Sequence, residues 1–345
     1  MMLHLAAITV MLAAGPVVRW SSPVPIEADE VGYSDEGVIV RPVGEVLPIT
    51  VPWFDIRSIP DGWTGEAAAY KGTAQDARAA RLRRLRGDIH GAGELYARLS
   101  ASLDAHRGEQ SLDIALGLLD LSMIRGEAAD GVVPWLRVLE AAGPGRPNDG
   151  SGLDPSTGLH PSIIPLFQST VDQTEPDFPT FSGREQILAE YYQLALQPGP
   201  AEEHDATLEE LEKRARKLGD RDAGVLLVHE VVTATHASDP STRRAAREQL
   251  SRTARTADEG WLVDWARLAV GASLLDEPQI DGRERGVVAC IAVVVDPQEE
   301  TPDAIRLLAA EFAAEYLRET NRDQYAAVVT MAAIMDDQPA AGATP

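Results

Sequence analysis

The chain offers few groupings able to do chemistry, and the strongest is LLVHEVVTATH, where His229, Glu230 and His236 share one apolar run. Imidazoles and a carboxylate on one helix are the ingredients of a metallohydrolase site, but two imidazoles reach one zinc ion from a single helix face when four residues apart. A separation of seven sets them ~10 Å apart along the axis. The expectation is one histidine in the core and the other near the helix end. Glu203-His204-Asp205 stands in an acidic stretch and reads as solvated surface. The single cysteine, Cys290, falls within GVVACIAVVV. Apolar surroundings raise a thiol's pKa, so it reads as core packing rather than a nucleophile.

Asn148, Asp149, Ser151 and Asp154 offer oxygens at short spacing, yet the closing glutamate and tight acidic repeat of a calcium loop are missing. The glycine-rich RGDIHGAGELYARL, residues 86–99, lacks the Gly-Lys-Ser/Thr ending of a phosphate loop, and no strand precedes it. No Gly-x-Ser-x-Gly elbow occurs. No catalytic, cofactor-binding or metal-ligating residue is therefore assigned, and no cofactor.

The elements that carry these residues are mostly helical. Of 345 residues 44% are hydrophobic and only 5% aromatic, which favours small side chains between closely packed helices. With 31 basic and 54 acidic residues the net charge is −23, which disfavours nucleic acid as a partner. One stretch runs against that sign: Lys71, Arg78, Arg81, Arg83, Arg84, Arg86, Arg98 and Arg107. The acids Glu109, Asp113, Asp120, Glu127 and Asp130 follow, and the two segments read as helices that pair with each other.

Residues 1–16 read as a secretory signal or a disordered N-terminal segment, because Leu5 to Ala14 is an apolar run followed by small residues. That implies a protein exported to the periplasm or the extracellular space. No later run is long enough to span a membrane. Residues 17–62 read as a small β module of three to five short strands, turning at Ser34-Asp35-Glu36-Gly37 and Val43-Gly44, with Pro42, Pro48 and Pro52 at edges or ends. Its aromatics, Tyr33, Trp53 and Phe54, lack an interleaved basic surface.

From residue 66 the apolar period is helical. Leu82, Leu85 and Ile89 mark one face, Leu112, Ala115, Leu116, Leu119 and Met123 a second, and Leu208, Leu211, Ala215 and Leu218 a third. Trp261, Leu262, Trp265, Leu268, Ala269, Ala272 and Leu275 hold a face over four turns. Thr301-Pro302 reads as a helix cap, with Ile305, Leu308, Phe312 and Tyr316 buried behind it. Helical hairpins are expected over 66–140 and 186–336, with a disordered tail at 337–345. Between them, 141–185 carries seven prolines and six glycines. It reads either as an extended arm anchored by Ile163, Ile164, Leu166 and Phe167, or as a plain linker.

One spacing recurs. Gly87, Ala92, Tyr96 and Leu99 stand at offsets of five, nine and twelve, as do Gly126, Gly131, Trp135 and Val138. Gly219, Gly224, Val228 and Val231 repeat it, followed by Asp281, Gly286, Cys290 and Val293, then Asn321, Ala326, Thr330 and Ala333. The pattern describes a helix ending at a residue tolerant of the left-handed conformation, then a small residue that lets the next helix approach closely. GDIHGAGELYARL resembles the turn and second helix of a tetratricopeptide repeat, and residues 126–138 resemble it loosely. The family's first-helix tryptophan is missing, and the hinges fall 39, 93, 62 and 40 residues apart rather than at a regular period. The resemblance implies a divergent α-solenoid with a groove for a partner protein.

The fold class expected is thus mostly α, an irregular stack of helical hairpins with a small N-terminal β module. The function expected is non-enzymatic: a scaffold or interaction role toward another protein, with oligomeric state left open. Two alternatives stand beside it. One is a hydrolase-type enzyme with its site in the helical groove under 141–185, which convergence of three or more titratable side chains there would favour. The other is a β module that binds envelope glycan or nucleic acid.

Overall fold

The computed structural model describes residues 15–103, 108–142, 152–167, 178–197, 201–218, 222–257 and 260–335. The apolar run read as a signal and the tail at 337–345 lie outside them, as do Arg107, Asn148, Asp149, Ser151 and Gly219. The chain divides into two compact units, 1–127 with 133–147 and 128–132 with 148–345.

In the first unit, strands β1 (Gly15–Arg19), β2 (Ile26–Ser34), β3 (Gly37–Pro42), β4 (Ile49–Pro52) and β5 (Ile56–Ser58) form an open antiparallel sheet in the order β4-β3-β2-β1-β5. Pro52 sits on an edge strand, where a missing N–H costs no ladder bond. The β2–β3 hairpin turns at Asp35-Glu36. Gly37 follows at φ 147, where a Cβ would lie 2.1 Å from the Val51 carbonyl oxygen, so no larger residue fits. Val17, Val31, Val38, Val40 and Val51 are buried. Trp53, fully buried, stacks on Tyr70 at 4.9 Å and donates its indole N–H to the Ser34 carbonyl at 2.8 Å.

Helices α1 (Lys71–Leu85), α2 (Ile89–Ser100) and α3 (Glu109–Arg125) pack on one another. The expected pairing of opposite charges is present: Arg81 lies 2.7 Å from Asp113, and Arg84 lies 2.6 Å from Asp120. Tyr96 donates to Asp113 at 2.9 Å. Burial pushes the Asp113 carboxyl up, and Arg81, Tyr96 and Arg84 oppose that shift. Glu36 binds the sheet to the start of α3, accepting the Ser111 N–H at 3.1 Å, a favourable place for negative charge. The face expected at Leu82, Leu85 and Ile89 is not the buried one. Ala74, Ala77 and Ala80 are buried, and Leu85 is 72% exposed. The packed stripe of α1 is its alanines, and Leu85, the last residue of the helix, lies beyond it. Helix α4 (Ala128–Ala142) buries Val132, Trp135, Leu136 and Val138.

The second unit holds α5 (Gly183–Leu196), α6 (Ala201–Lys217), α7 (Ala223–His236), α8 (Pro240–Thr256), α9 (Gly260–Leu275), α10 (Ile280–Val295), α11 (Asp303–Glu319) and α12 (Asp323–Met335). Each packs on its successor, and α7 touches α5 and α9, as α9 touches α11. This is a stack of helical hairpins with one layer made of α5, α7, α9 and α11.

Three of the hinges have the expected left-handed backbone: Gly87 at φ 79, Gly126 at φ 72 and Asn321 at φ 57. Asp281 does not, because it lies in the first turn of α10, where its charge suits the helix terminus. Small residues do allow close approach. A Cβ on Gly286 of α10 would lie 2.7 Å from the Gly271 carbonyl oxygen of α9, and a Cβ on Gly271 would lie 2.7 Å from Cys290 Sγ. Thr301 is not a cap: α11 begins at Asp303, and the Thr301 hydroxyl donates instead to the buried Asp264 at 2.6 Å.

Residues 152–167 run along the α5–α7–α9 layer. Leu159, Ile163, Ile164 and Leu166 are buried, and Phe167 is half-buried. Trp265 donates to the Pro161 carbonyl at 2.6 Å, and Tyr192 donates to the Ile163 carbonyl at 2.5 Å. At Gly224 the close neighbour is the Thr157 carbonyl, 2.3 Å from where a Cβ would stand, rather than another helix. The Asp154 carboxylate accepts the Ser156 and Thr157 N–H groups at 3.0 and 2.6 Å, so it shapes the turn of this segment.

Gly286→Ala is expected to lower unfolding stability by about 1–3 kcal/mol in denaturant titration, because the atom it meets is backbone and cannot swing aside. Trp265→Phe, which leaves the Pro161 carbonyl without its donor, is expected to lower it by about 1–3 kcal/mol. Neutral outcomes would contradict the two contacts.

Candidate functional site

Where a helical stack would present a groove, the α5–α7–α9 layer is covered by residues 152–167. An open cleft of about 540 Å³ lies between α6, α7 and α8. Helix α6 contributes Asp205, Glu209 and Glu212, α7 contributes His229 and Glu230, and α8 contributes Arg252. These side chains converge because α6 and α8 flank α7, although residues 205 and 252 are far apart in sequence.

Most of the acids are occupied. Asp205 accepts the Ser238 N–H at 2.9 Å. Glu209 pairs with Lys213 at 2.7 Å, and Glu212 pairs with Arg216. Asp239, at the mouth of the cleft, caps α8 through the Ser241 and Thr242 N–H groups at 3.3 and 3.0 Å. Glu230 is different. It is half-buried, and among the described residues it makes no hydrogen bond or ion pair. Burial, and next the charge of Glu212, push its carboxyl up to about 7, against the pull of Arg252 and Arg216. A carboxyl with that affinity is half-ionised near neutral pH. Beside it, Tyr191 of α5 and His229 Nδ1 are hydrogen-bonded at 2.9 Å. Burial lowers the His229 pKa and raises that of Tyr191, so both are neutral near pH 7.

A second, smaller cleft of about 210 Å³ is bordered by Leu166 and Phe167 and gathers His236, Asp276, Arg283, Glu315 and Glu319. Arg283 is held by Glu319 at 2.5 Å and lies 4.8 Å over the Tyr316 ring. Burial, then the neighbouring His204, lowers His236 to about 4. The expectation for His204 is corrected here: it is buried in α6, with its ring centroid 5.7 Å from that of His236, rather than solvated.

His229 and His236 do not converge on one site. The first binds Tyr191 and the second faces His204. Among the described residues no group of three or more histidine, cysteine or acidic side chains could hold a metal ion. Cys290 is fully buried, and burial pushes its thiol up to about 12. No described helix is long and apolar enough to cross a membrane. In the β module Tyr33, Trp53 and Phe54 are packed inward or nearly so. The exposed aromatic is Trp20, which the sequence reading did not single out. It is flanked by Arg78 at 4.0 Å and Arg57 at 5.3 Å.

Sequence reasoning noted Glu230 only as a companion to histidines and missed Glu212 altogether. The available signal was an acid inside an apolar helical run, LLVHEVV, where a charge has no solvent-facing turn to itself. Comparison of the chain with family models, curated proteins and solved structures finds no match in any of the three.

A carboxyl with a raised native pKa binds more protons folded than unfolded between about pH 4.5 and 7, so it withdraws stability as pH rises through that window. Glu230→Gln removes the effect. The variant is expected to match the parent near pH 4 and to exceed it at pH 8 by up to about 3 kcal/mol. A difference between the two proteins that does not vary with pH would contradict the assignment.

Proposed function

We propose that the chain is a non-enzymatic protein-interaction scaffold, and that its α6–α8 cleft receives a lysine or arginine side chain from a partner protein. Glu230 carries this reading. A half-buried carboxylate near a like charge lowers stability, and the pull of Arg252 and Arg216 offsets only part of that cost. A cationic side chain placed between Glu230 and Glu212 would offset it. The remaining acids of the cleft would draw the cation in and reject anionic partners. The likeness of residues 87–99 to a tetratricopeptide repeat agrees with such a role. We further propose export: β1 begins at Gly15 and pairs that residue with Ala28, so signal removal compatible with the sheet leaves Gly15 in the mature chain.

A calorimetric titration with a short arginine-containing peptide tests the cleft. Affinity is expected to rise about tenfold between pH 6 and 8 as Glu230 ionises. Glu230→Gln is expected to abolish that rise, whereas Glu299→Gln, at an exposed acid outside the cleft, leaves it intact. Equal binding by the Glu230→Gln variant, or by a peptide with citrulline in place of arginine, would overturn the reading. For export, the mass of the mature protein is expected to show the apolar run removed and the chain starting at Gly15 or within a few residues before it; an intact Met1, or a start beyond Gly15, would contradict it.

A second reading, an enzyme with its site beside the 152–167 segment, draws on the five titratable groups gathered in the smaller cleft. Against it, Arg283 is tied to Glu319 and His236 stays neutral down to about pH 4; in its favour, burial raises the Asp276 carboxyl. Hydrolysis of ester or peptide substrates that disappears in His236→Ala would favour it over the scaffold.

A further inference from the structure

Helix α12 packs on α11 and α10, burying Ala326, Val329 and Ala333. Its other side bears Tyr325, Val328 and Met331, which are 57%, 62% and 57% exposed. Their three-residue spacing makes them one stripe. From Gln324 to Met335 the helix carries no charged residue. A surface helix ordinarily turns a polar side outward, and among the described residues this outward side is apolar. Beside the stripe is a shallow hollow of about 380 Å³, lined by Ala326, Ala327 and Thr330 and bordered by Arg318 and Asp323. Neither of those two has an ion-pair partner among the described residues.

Charge selects the occupant. Two copies of a chain with net charge −23 repel wherever their acidic surfaces meet, so self-association needs a face free of like charge. The outer side of α12 is such a face, and its border holds one cation and one anion, a self-complementary pair. We propose that α12 is a homodimer interface: two copies meet across a two-fold axis through the hollow, with Tyr325, Val328 and Met331 at its centre and Arg318 of each copy against Asp323 of the other. An isologous contact of this kind closes at two copies and does not propagate. It is separate from the α6–α8 cleft and stands or falls independently of it.

Sedimentation velocity on the full chain, over a hundredfold range of concentration, tests the proposal. A reversible monomer–dimer equilibrium is expected, tightened by added salt because screening weakens the repulsion between acidic surfaces. Val328→Glu is expected to weaken it at least tenfold with an unchanged circular dichroism spectrum. Arg318→Glu weakens it too, and adding Asp323→Arg to that variant restores it. Because Cys290 is buried, Val328→Cys supplies the reactive thiol, and mild oxidation is expected to give a covalent dimer. A monomer at every concentration and salt level would overturn the proposal, as would a dimer indifferent to Val328→Glu. Protection of the Val328→Cys thiol in dilute monomer would also overturn it, since another part of the same chain would then cover the face.

Discussion

Contact between helix backbones is the constraint on which the second unit depends. Gly286 and Gly271 bring α9 and α10 so close that a methyl group on either would strike a neighbour. Such proximity leaves little room for large side chains, and the interior of this unit is accordingly rich in alanine, with Ala266, Ala269, Ala309, Ala310, Ala313 and Ala314 all buried. Cores built of small residues bury less apolar area per position. The larger anchors, Trp265, Tyr191 and Tyr192, therefore matter more, and two of them also hold the backbone of the 152–167 segment.

That segment changes which surface of the second unit is uncovered. By covering the α5–α7–α9 layer with Leu159, Ile163, Ile164 and Leu166, the chain fills a face that a helical-repeat protein could offer to others. The cleft at α6–α8 stays open, and charged side chains stand among its apolar lining. Glu230 is kept beside Glu212 in a half-buried setting, while the other acids of the cleft are engaged in caps and ion pairs. Local destabilisation of this kind concentrates where a ligand is to supply the missing contact.

Much of this was legible in the sequence, and the parts that were not share a cause. The stripe at Trp261, Trp265, Leu268, Ala269 and Ala272 repeats over several turns, so periodicity alone revealed it. Gly87, Gly126 and Asn321 were legible as hinges because few residue types accept a left-handed backbone. The pairing of Arg81 and Arg84 with Asp113 and Asp120 followed from a basic stretch of sequence followed by an acidic one. By contrast, Leu85 looked buried, but the stripe of α1 that packs on its neighbours is made of alanines and ends at Ala80. Thr301 looked like a cap until Asp264, 37 residues away, supplied a better acceptor. His204 looked exposed among acids until α6 turned it toward His236. Each depends on a partner distant in sequence, as does the encounter of Glu212 with Glu230, which no local pattern distinguishes among 54 acids.

The claim at the centre is that Glu230 is an uncompensated carboxyl awaiting a cation. Following its side-chain carboxyl carbon by NMR through a pH titration of the free protein measures this directly. The account predicts a midpoint near 7 that falls when an arginine-containing peptide is added. A midpoint in the ordinary glutamate range, unmoved by the peptide, would contradict it.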